Sequence, residues 1–133
     1  MSDRTQDPIL EYERILMWLC AEIRIYNDIT AEEFSRIYVE PHRGRPMDGA
    51  SISEWERSIS WIKGRRHIIA AYADLAGVTI PELWDSALEL LPRDAALRAR
   101  AARLFTPLAD WTEAPKRLDA LRKLVKQDRA SSE

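Results

Sequence analysis

Residues 51–78 read SISEWERSISWIKGRRHIIAAYADLAGV, and their spacing decides how the rest of the chain is read. Ser51 followed three residues later by Glu54 makes a capping box, in which hydroxyl and carboxylate satisfy the free backbone donors of a helix start. Ile52 and Trp55, with Ile59 one turn on, give that short helix an apolar face. Gly64 predicts a break before a further helix whose apolar set is Ile68, Ile69, Tyr72, Ala73 and Leu75. Gly77 is placed to end that helix in a left-handed conformation.

Upstream, Asp7-Pro8 is a helix start, because aspartate caps and proline at the first helical position misses no N–H bond. Ile9, Tyr12, Leu16, Leu19, Cys20, Ile23 and Tyr26 follow at three- and four-residue spacings, and Ile15, Met17 and Trp18 widen that face. So apolar a helix belongs at the centre of a core. Asn27-Asp28 breaks it. Thr30 to Glu33 is a second capping box, opening a short helix with Phe34, Ile37 and Tyr38 inward. Residues 39–50, VEPHRGRPMDGA, hold two prolines and two glycines without periodicity and read as a loop.

Downstream, Thr79 to Glu82 is a third capping box, with Leu83, Trp84, Ala87, Leu88 and Leu91 as the core side of its helix and Leu91-Pro92 as its end. Asp94 to Phe105 is rich in alanine and arginine and has strong helix propensity. Thr106 to Ala114 is a turn segment. Pro115 begins a last helix with a stripe of Leu118, Leu121, Leu124 and Val125, and the tail from Ala130 to Glu133 is expected to fray.

The I-S-x-W-E-R core, the following helix ending A-x-x-x-G-V, the T-A-E-E-F opening of the second helix and the closing GVTIPELWD together resemble the lambda-repressor and Cro (XRE-type) helix-turn-helix family over residues 9–91. The resemblance implies an all-α fold with a five-helix repressor-like domain over residues 1–92; the two C-terminal helices over 93–133 lie beyond it and are expected to make a homodimer, because paired half-sites multiply affinity. The family's turn between second and third helices is only a few residues, and here about half a dozen more are inserted. In the family, the Glu and Arg corresponding to Glu56 and Arg57 hold the domain together by salt-bridging.

The resemblance implies that the outward residues at the start of the third helix, Ala50, Ser51, Ser53 and Glu54, face the DNA major groove, where base edges present distinct donors and acceptors. Glu54 can accept from cytosine but repels phosphate. Arg43-Gly44-Arg45-Pro46 has the R-G-R-P core of AT-hook motifs, in which two guanidinium groups lie along a narrow minor groove. Lys63, Arg65 and Arg66 form the densest basic cluster and suit phosphate contacts. The expected DNA-binding residues are therefore Arg43, Arg45, Ser51, Ser53, Glu54, Lys63, Arg65 and Arg66. An alternative reader, Ile80 to Leu90, would bring Glu82, Asp85 and Glu89 to the phosphates and is rejected on charge.

Composition bounds these readings. The net charge of −2 is unevenly spread: residues 1–40 carry 4 basic and 9 acidic side chains, 41–67 carry 6 and 3, 68–92 carry none and 4, and 93–133 carry 10 and 6. A positive face is therefore compatible with an acidic total. The single cysteine, Cys20, cannot form an internal disulfide and lies in an apolar run, as a buried small hydrophobe would. No apolar run approaches the roughly 18–20 residues of a membrane span, so a cytoplasmic protein is expected. Two histidines and one cysteine make no metal-ligand set, and no phosphate loop or nucleophile elbow is present. Neither catalysis nor a cofactor is expected. Of the five tryptophans, Trp18, Trp55 and Trp84 fall on inward faces, whereas Trp61 and Trp111 sit near breaks as core residues or exposed anchors.

The sequence thus points to a homodimeric DNA-binding transcriptional regulator. Two other readings share the scaffold. One is a protein-interaction module, such as an anti-activator or a mobile-element accessory protein, which the acidic segments and Glu54 favour. The other is a phage-type packaging or assembly subunit that holds DNA without regulating genes.

Overall fold

In the computed structural model, residues 8–45, 47–57, 66–106 and 108–132 are described, and every regular element among them is helical. The elements are α1 (Pro8–Tyr26), α2 (Ala31–Phe34), a π-helical turn (Ser35–Val39), α3 (Glu40–Arg43), α4 (Gly49–Arg57), α5 (Arg66–Ala76), α6 (Ile80–Glu89), α7 (Ala95–Ala102), a 3-10 turn (Trp111–Glu113) and α8 (Ala114–Ser132). Asp7, the expected first cap, lies outside the described residues, as do Pro46, Ile59, Trp61 and Gly64.

α1 is the axis of the molecule. Every residue from Ile15 to Ala21 is buried, which is about two full turns and hence the whole circumference of the helix. α4, α5, α6 and α8 all pack against it. Its last turn emerges, where Tyr26 is 87% exposed despite fitting the apolar spacing. The Cys20 thiol is fully buried among these neighbours, and burial, with Glu56 nearby, pushes its pKa well above the ordinary value.

α8 lies antiparallel to α1, its early residue Pro115 near the end of α1 and its Arg122 bonded to Glu22 through both guanidinium nitrogens at 2.9 and 3.1 Å. The stripe of Leu118, Leu121, Leu124 and Val125 is buried, in a core shared with α1. No break in the core falls at residue 92: Ala101, Phe105 and Leu108 join it, with the Phe105 ring 5.5 Å from that of Trp18. Asp128 accepts from the backbone N–H groups of Arg93 and Asp94 at 2.9 and 3.0 Å, which ties the start of α7 to the end of α8 and holds the Asp128 carboxyl below its ordinary pKa. The apolar stripe of the last helix is therefore covered by the chain's own α1. The expected fraying from Ala130 is not seen either, because α8 continues to Ser132.

Residues 39–50 depart most from the loop reading. The backbone stays helical to Arg43 because the chain widens into a π turn after Phe34. Pro41 then sits in the first turn of α3, where its missing N–H breaks no bond. The wider turn changes the phase of the helix: Ser35 and Val39 are buried, whereas Ile37, expected inward, is half exposed. Gly44, at φ 90°, ends α3 with its N–H bonded to the Glu40 carbonyl at 2.7 Å.

α4 begins at Gly49, two residues before the expected cap, with the Ser51 and Ile52 N–H groups bonded to the Asp48 carbonyl. Ser51 is thus an exposed residue of the first turn rather than the cap. Glycine is needed at 49 because a Cβ there would meet Glu32 Cγ at 2.7 Å, so α4 lies unusually close to α2. The other caps vary in completeness. Thr79 and Glu82 form the full reciprocal box, while the Thr30 hydroxyl accepts from the Glu33 N–H but donates to the Glu33 carboxylate. Leu88, expected on the core side of α6, is 60% exposed, since the buried seam of α6 is only as wide as Leu83 and Ala87.

A single shared core makes a definite prediction for α8. Leu121→Ala removes a fully buried side chain and should cost about 2–5 kcal/mol. Urea unfolding followed by tryptophan fluorescence and by far-UV circular dichroism should show one coincident transition, shifted as a whole. Two separated transitions would mean that residues 93–133 fold as an independent unit.

Candidate nucleic-acid interface

α4 is a nine-residue helix held at its back, at its start and at its end. At its back, Ile52 is fully buried, Trp55 is 6% exposed and Glu56 is fully buried. Glu56 Oε1 lies 2.7 Å from Nη2 of Arg24, and Oε2 accepts from Arg24 Nε at 2.8 Å. The Tyr72 hydroxyl donates to the same Oε2. Arg24 Nη1 donates to the Ile29 carbonyl at 3.0 Å, and its guanidinium lies 4.2 Å from the Trp111 ring centroid. One buried charge pair thereby connects α1, α4, α5, the segment before α2 and the Trp111 turn.

The electrostatics follow from that arrangement. Burial opposes the charge of Arg24, but the hydrogen bonds and the charge of Glu56 outweigh it and hold the guanidinium pKa above its ordinary value. Burial, reinforced by Glu56, pushes the Tyr72 hydroxyl well above its ordinary value. Rings pack around the network, with Phe34 4.3 Å and Trp55 5.7 Å from Tyr72, centroid to centroid.

At the end of α4, the buried Arg14 donates from Nη1 to the Arg57 carbonyl at 3.3 Å, a cation at the negative pole of the helix. Burial, then the nearby Arg117, pulls the Arg14 pKa down to about 10. At the start, the segment before α4 is pinned by Ser35, whose Oγ accepts from the Met47 N–H and donates to the Met47 carbonyl, both at 2.5 Å.

The front of α4 is open. Ala50, Ser51, Glu54 and Arg57 are all exposed and, at helical spacing, occupy one arc opposite Ile52 and Trp55. Ser53 lies at the edge of this arc. It is half-buried and lines a notch with Arg24, Trp111 and Thr112, so the 3-10 turn flanks it. Trp111 is itself half-buried against the core rather than presented as a free anchor.

The remaining candidates are distributed unevenly. Arg45 is exposed just before the pinned Met47. Arg43 is half-buried as the last residue of α3. The R-G-R-P stretch is therefore not an extended two-arginine arm, because its first arginine belongs to a helix that Gly44 closes. Arg66 is exposed at the first position of α5, while Lys63 and Arg65 lie outside the described residues.

Three residues had other roles than the sequence suggested, or none. Glu56 is structural, as expected of the W-E-R core, but its partner is Arg24 rather than Arg57. Arg57 is exposed and makes no ion pair among the described residues, which adds a cation to the open face. Tyr72 is a polar member of the network as well as a core ring. The available signal was Arg24 itself, a charge set between Ile23 and Ile25.

Among the described residues, no helix is long and apolar enough to cross a membrane, and no group of three or more His, Cys, Asp or Glu is placed to hold a metal ion. No family model, no curated protein and no solved structure matches the chain.

Two outcomes follow from the clamp. Glu56→Gln leaves Arg24 buried without a counter-charge and should cost about 3–5 kcal/mol in urea unfolding, whereas Arg57→Gln at the exposed neighbouring position should change stability by no more than about 0.5 kcal/mol. Folded Tyr72 holds its proton where unfolded tyrosine, with a pKa of about 10, releases it. Stability contributed by this group is thus fully present below pH 10 and lost as pH rises beyond it. Urea midpoints measured from pH 8 to 11 should fall, and less steeply in Tyr72→Phe; an identical pH dependence in the variant would exclude Tyr72 as a source.

Proposed function

We propose that this chain binds double-stranded DNA by laying the open face of α4 in the major groove, as a helix-turn-helix transcriptional regulator does. The observation that carries the reading is the contrast between the two sides of α4. Its back is locked by the Glu56–Arg24 pair, and its front presents Ser51, Glu54 and Arg57 to solvent. A reading helix needs that combination, because base discrimination depends on polar groups held in fixed geometry against a rigid support. Arg57 supplies a donor for guanine or phosphate, Ser51 a small donor and acceptor, and Glu54 an acceptor for cytosine. Arg45, beside the start of α4, and Arg66, at the start of α5, suit phosphate contacts that set register. The arrangement of α1, α2 with its π turn and α3, α4, α5 and α6 corresponds in this reading to the five helices of the lambda-repressor and Cro family.

The protein-interaction alternative has its own observation. A notch of about 440 Å³ between the ends of α1 and α5 and the start of α8 is lined by Ile23, Ile25, Tyr26, Leu75, Ala76 and Pro115, with Glu22 and Asn27 as its polar members and Tyr26 almost fully solvent-facing. An apolar surface of this kind suits a protein contact.

Gel shifts and fluorescence anisotropy on genomic duplex fragments separate the two. Binding at low salt is expected, with Arg57→Ala weakening it about 5- to 150-fold, which corresponds to about 1–3 kcal/mol. Glu54→Gln should change the preferred sequence more than the overall affinity. Absence of binding at low salt would reject the DNA reading. A stoichiometric protein partner retained without DNA, and lost with Tyr26→Ala, would favour the alternative.

A further inference from the structure

A second charged surface lies away from α4. α7 and α8 run side by side and enclose an open groove of about 600 Å³. Its walls carry Arg100 from α7, Arg103 just beyond the end of α7, and Lys116 and Lys123 from α8, against one carboxylate, Asp119. All four cations are exposed. Lys123 lies 3.4 Å from Asp119, and Arg100 reaches only the neutral Gln127, also at 3.4 Å. Arg103 and Lys116 make no ion pair among the described residues. Lys116 and Lys123 are two turns apart on one face of α8, about 10 Å along the axis at 1.5 Å per residue.

We infer that this groove is a second phosphate-binding surface for duplex DNA, continuous with the α4 face. The inference rests on the DNA reading above and extends it. Two observations favour a nucleic-acid backbone over a protein in the groove. Its rim is made of long lysine and arginine side chains, and lysine is depleted from protein interfaces while both residues are the usual phosphate contacts. Its apolar floor, Leu104 and Leu124, is partly or fully buried within the chain's own core, which leaves no pocket for a docking side chain. Continuity with α4 comes through the 3-10 turn. α4 and α8 both pack against Trp111–Glu113, Ser53 shares a notch with Thr112, and Lys116 follows one turn later at the mouth of the groove.

The rival occupant is the acidic face of α6 in a second copy, where Glu82, Asp85 and Glu89 are exposed. The test uses the whole chain, duplexes of unrelated sequence labelled for anisotropy, and the variant Arg100→Gln with Arg103→Gln, Lys116→Gln and Lys123→Gln. The double variant Lys116→Gln with Lys123→Gln serves as a milder form. Circular dichroism confirms that each is folded. Each phosphate contact contributes about −0.9 to the slope of log affinity against log salt. The fourfold variant should have a slope shallower by about 3–4, and the double variant by about 2, with losses equal across sequences. From 50 to 200 mM salt the wild type should lose about 100-fold more affinity than the fourfold variant.

An unchanged slope and affinity in a folded variant, with the wild type binding, overturns the groove and leaves the DNA reading standing. Absence of wild-type binding at low salt overturns both. Loss of low-salt self-association in the variant, with DNA affinity unchanged, assigns the groove to the acidic face of a second copy and overturns the inference.

Discussion

The buried pair between Arg24 and Glu56 is the constraint on which the arrangement of helices depends. Two charges withdrawn from water are tolerable only when they meet each other and when their remaining donors and acceptors are satisfied. That requirement leaves little freedom. Arg24 must lie beside α4, Glu56 must point back at α1, Tyr72 must bring α5 up to the carboxylate, and the Ile29 carbonyl and the Trp111 ring must close over the guanidinium. Hydrophobic contact alone is less particular about register, because a leucine can slide past another at little cost. The polar network selects one rotation of α4 among those that its apolar face would accept.

That rotation has a consequence at the surface. With Ile52, Trp55 and Glu56 turned inward, the same nine residues must turn Ala50, Ser51, Glu54 and Arg57 outward. The inward and outward sets are two aspects of one helical phase. Support at both ends reinforces it, by the Ser35–Met47 bonds before the helix and by Arg14 at its carbonyl pole. A helix so supported keeps little backbone freedom.

The C-terminal forty residues alter the balance of the molecule. α8 covers α1 where the N-terminal helices leave it open, so the middle of the central helix, Ile15 to Ala21, is surrounded on all sides. Burying the leucine stripe within the chain leaves the charged residues of α8 on the outside, where Lys116 and Lys123 line a groove with Arg100 and Arg103. On α6, Glu82, Asp85 and Glu89 are exposed, and Glu89 lines a pocket with Arg122, Lys126 and Arg129 of α8.

Much of this was legible in the order of residues. Apolar spacing placed α1, α4, α5, α6 and α8, because a helical period of 3.6 is imprinted on any segment with one buried face. The inward Ile52 and Trp55, the complete Thr79–Glu82 cap and the positive φ of Gly77 are local consequences of local chemistry. What sequence alone did not determine is long-range. That Glu56 bonds Arg24, 32 residues away, rather than the adjacent Arg57 depends on how α1 and α4 cross. That residues 35–43 stay helical depends on a π turn that buries Ser35 against Met47, a contact no periodicity announces. The exposure of Arg57, the enclosure of Ser53 and the covering of the α8 stripe by α1 follow from the same cause. Periodicity says which side of a helix avoids water, but only packing decides which neighbour covers it.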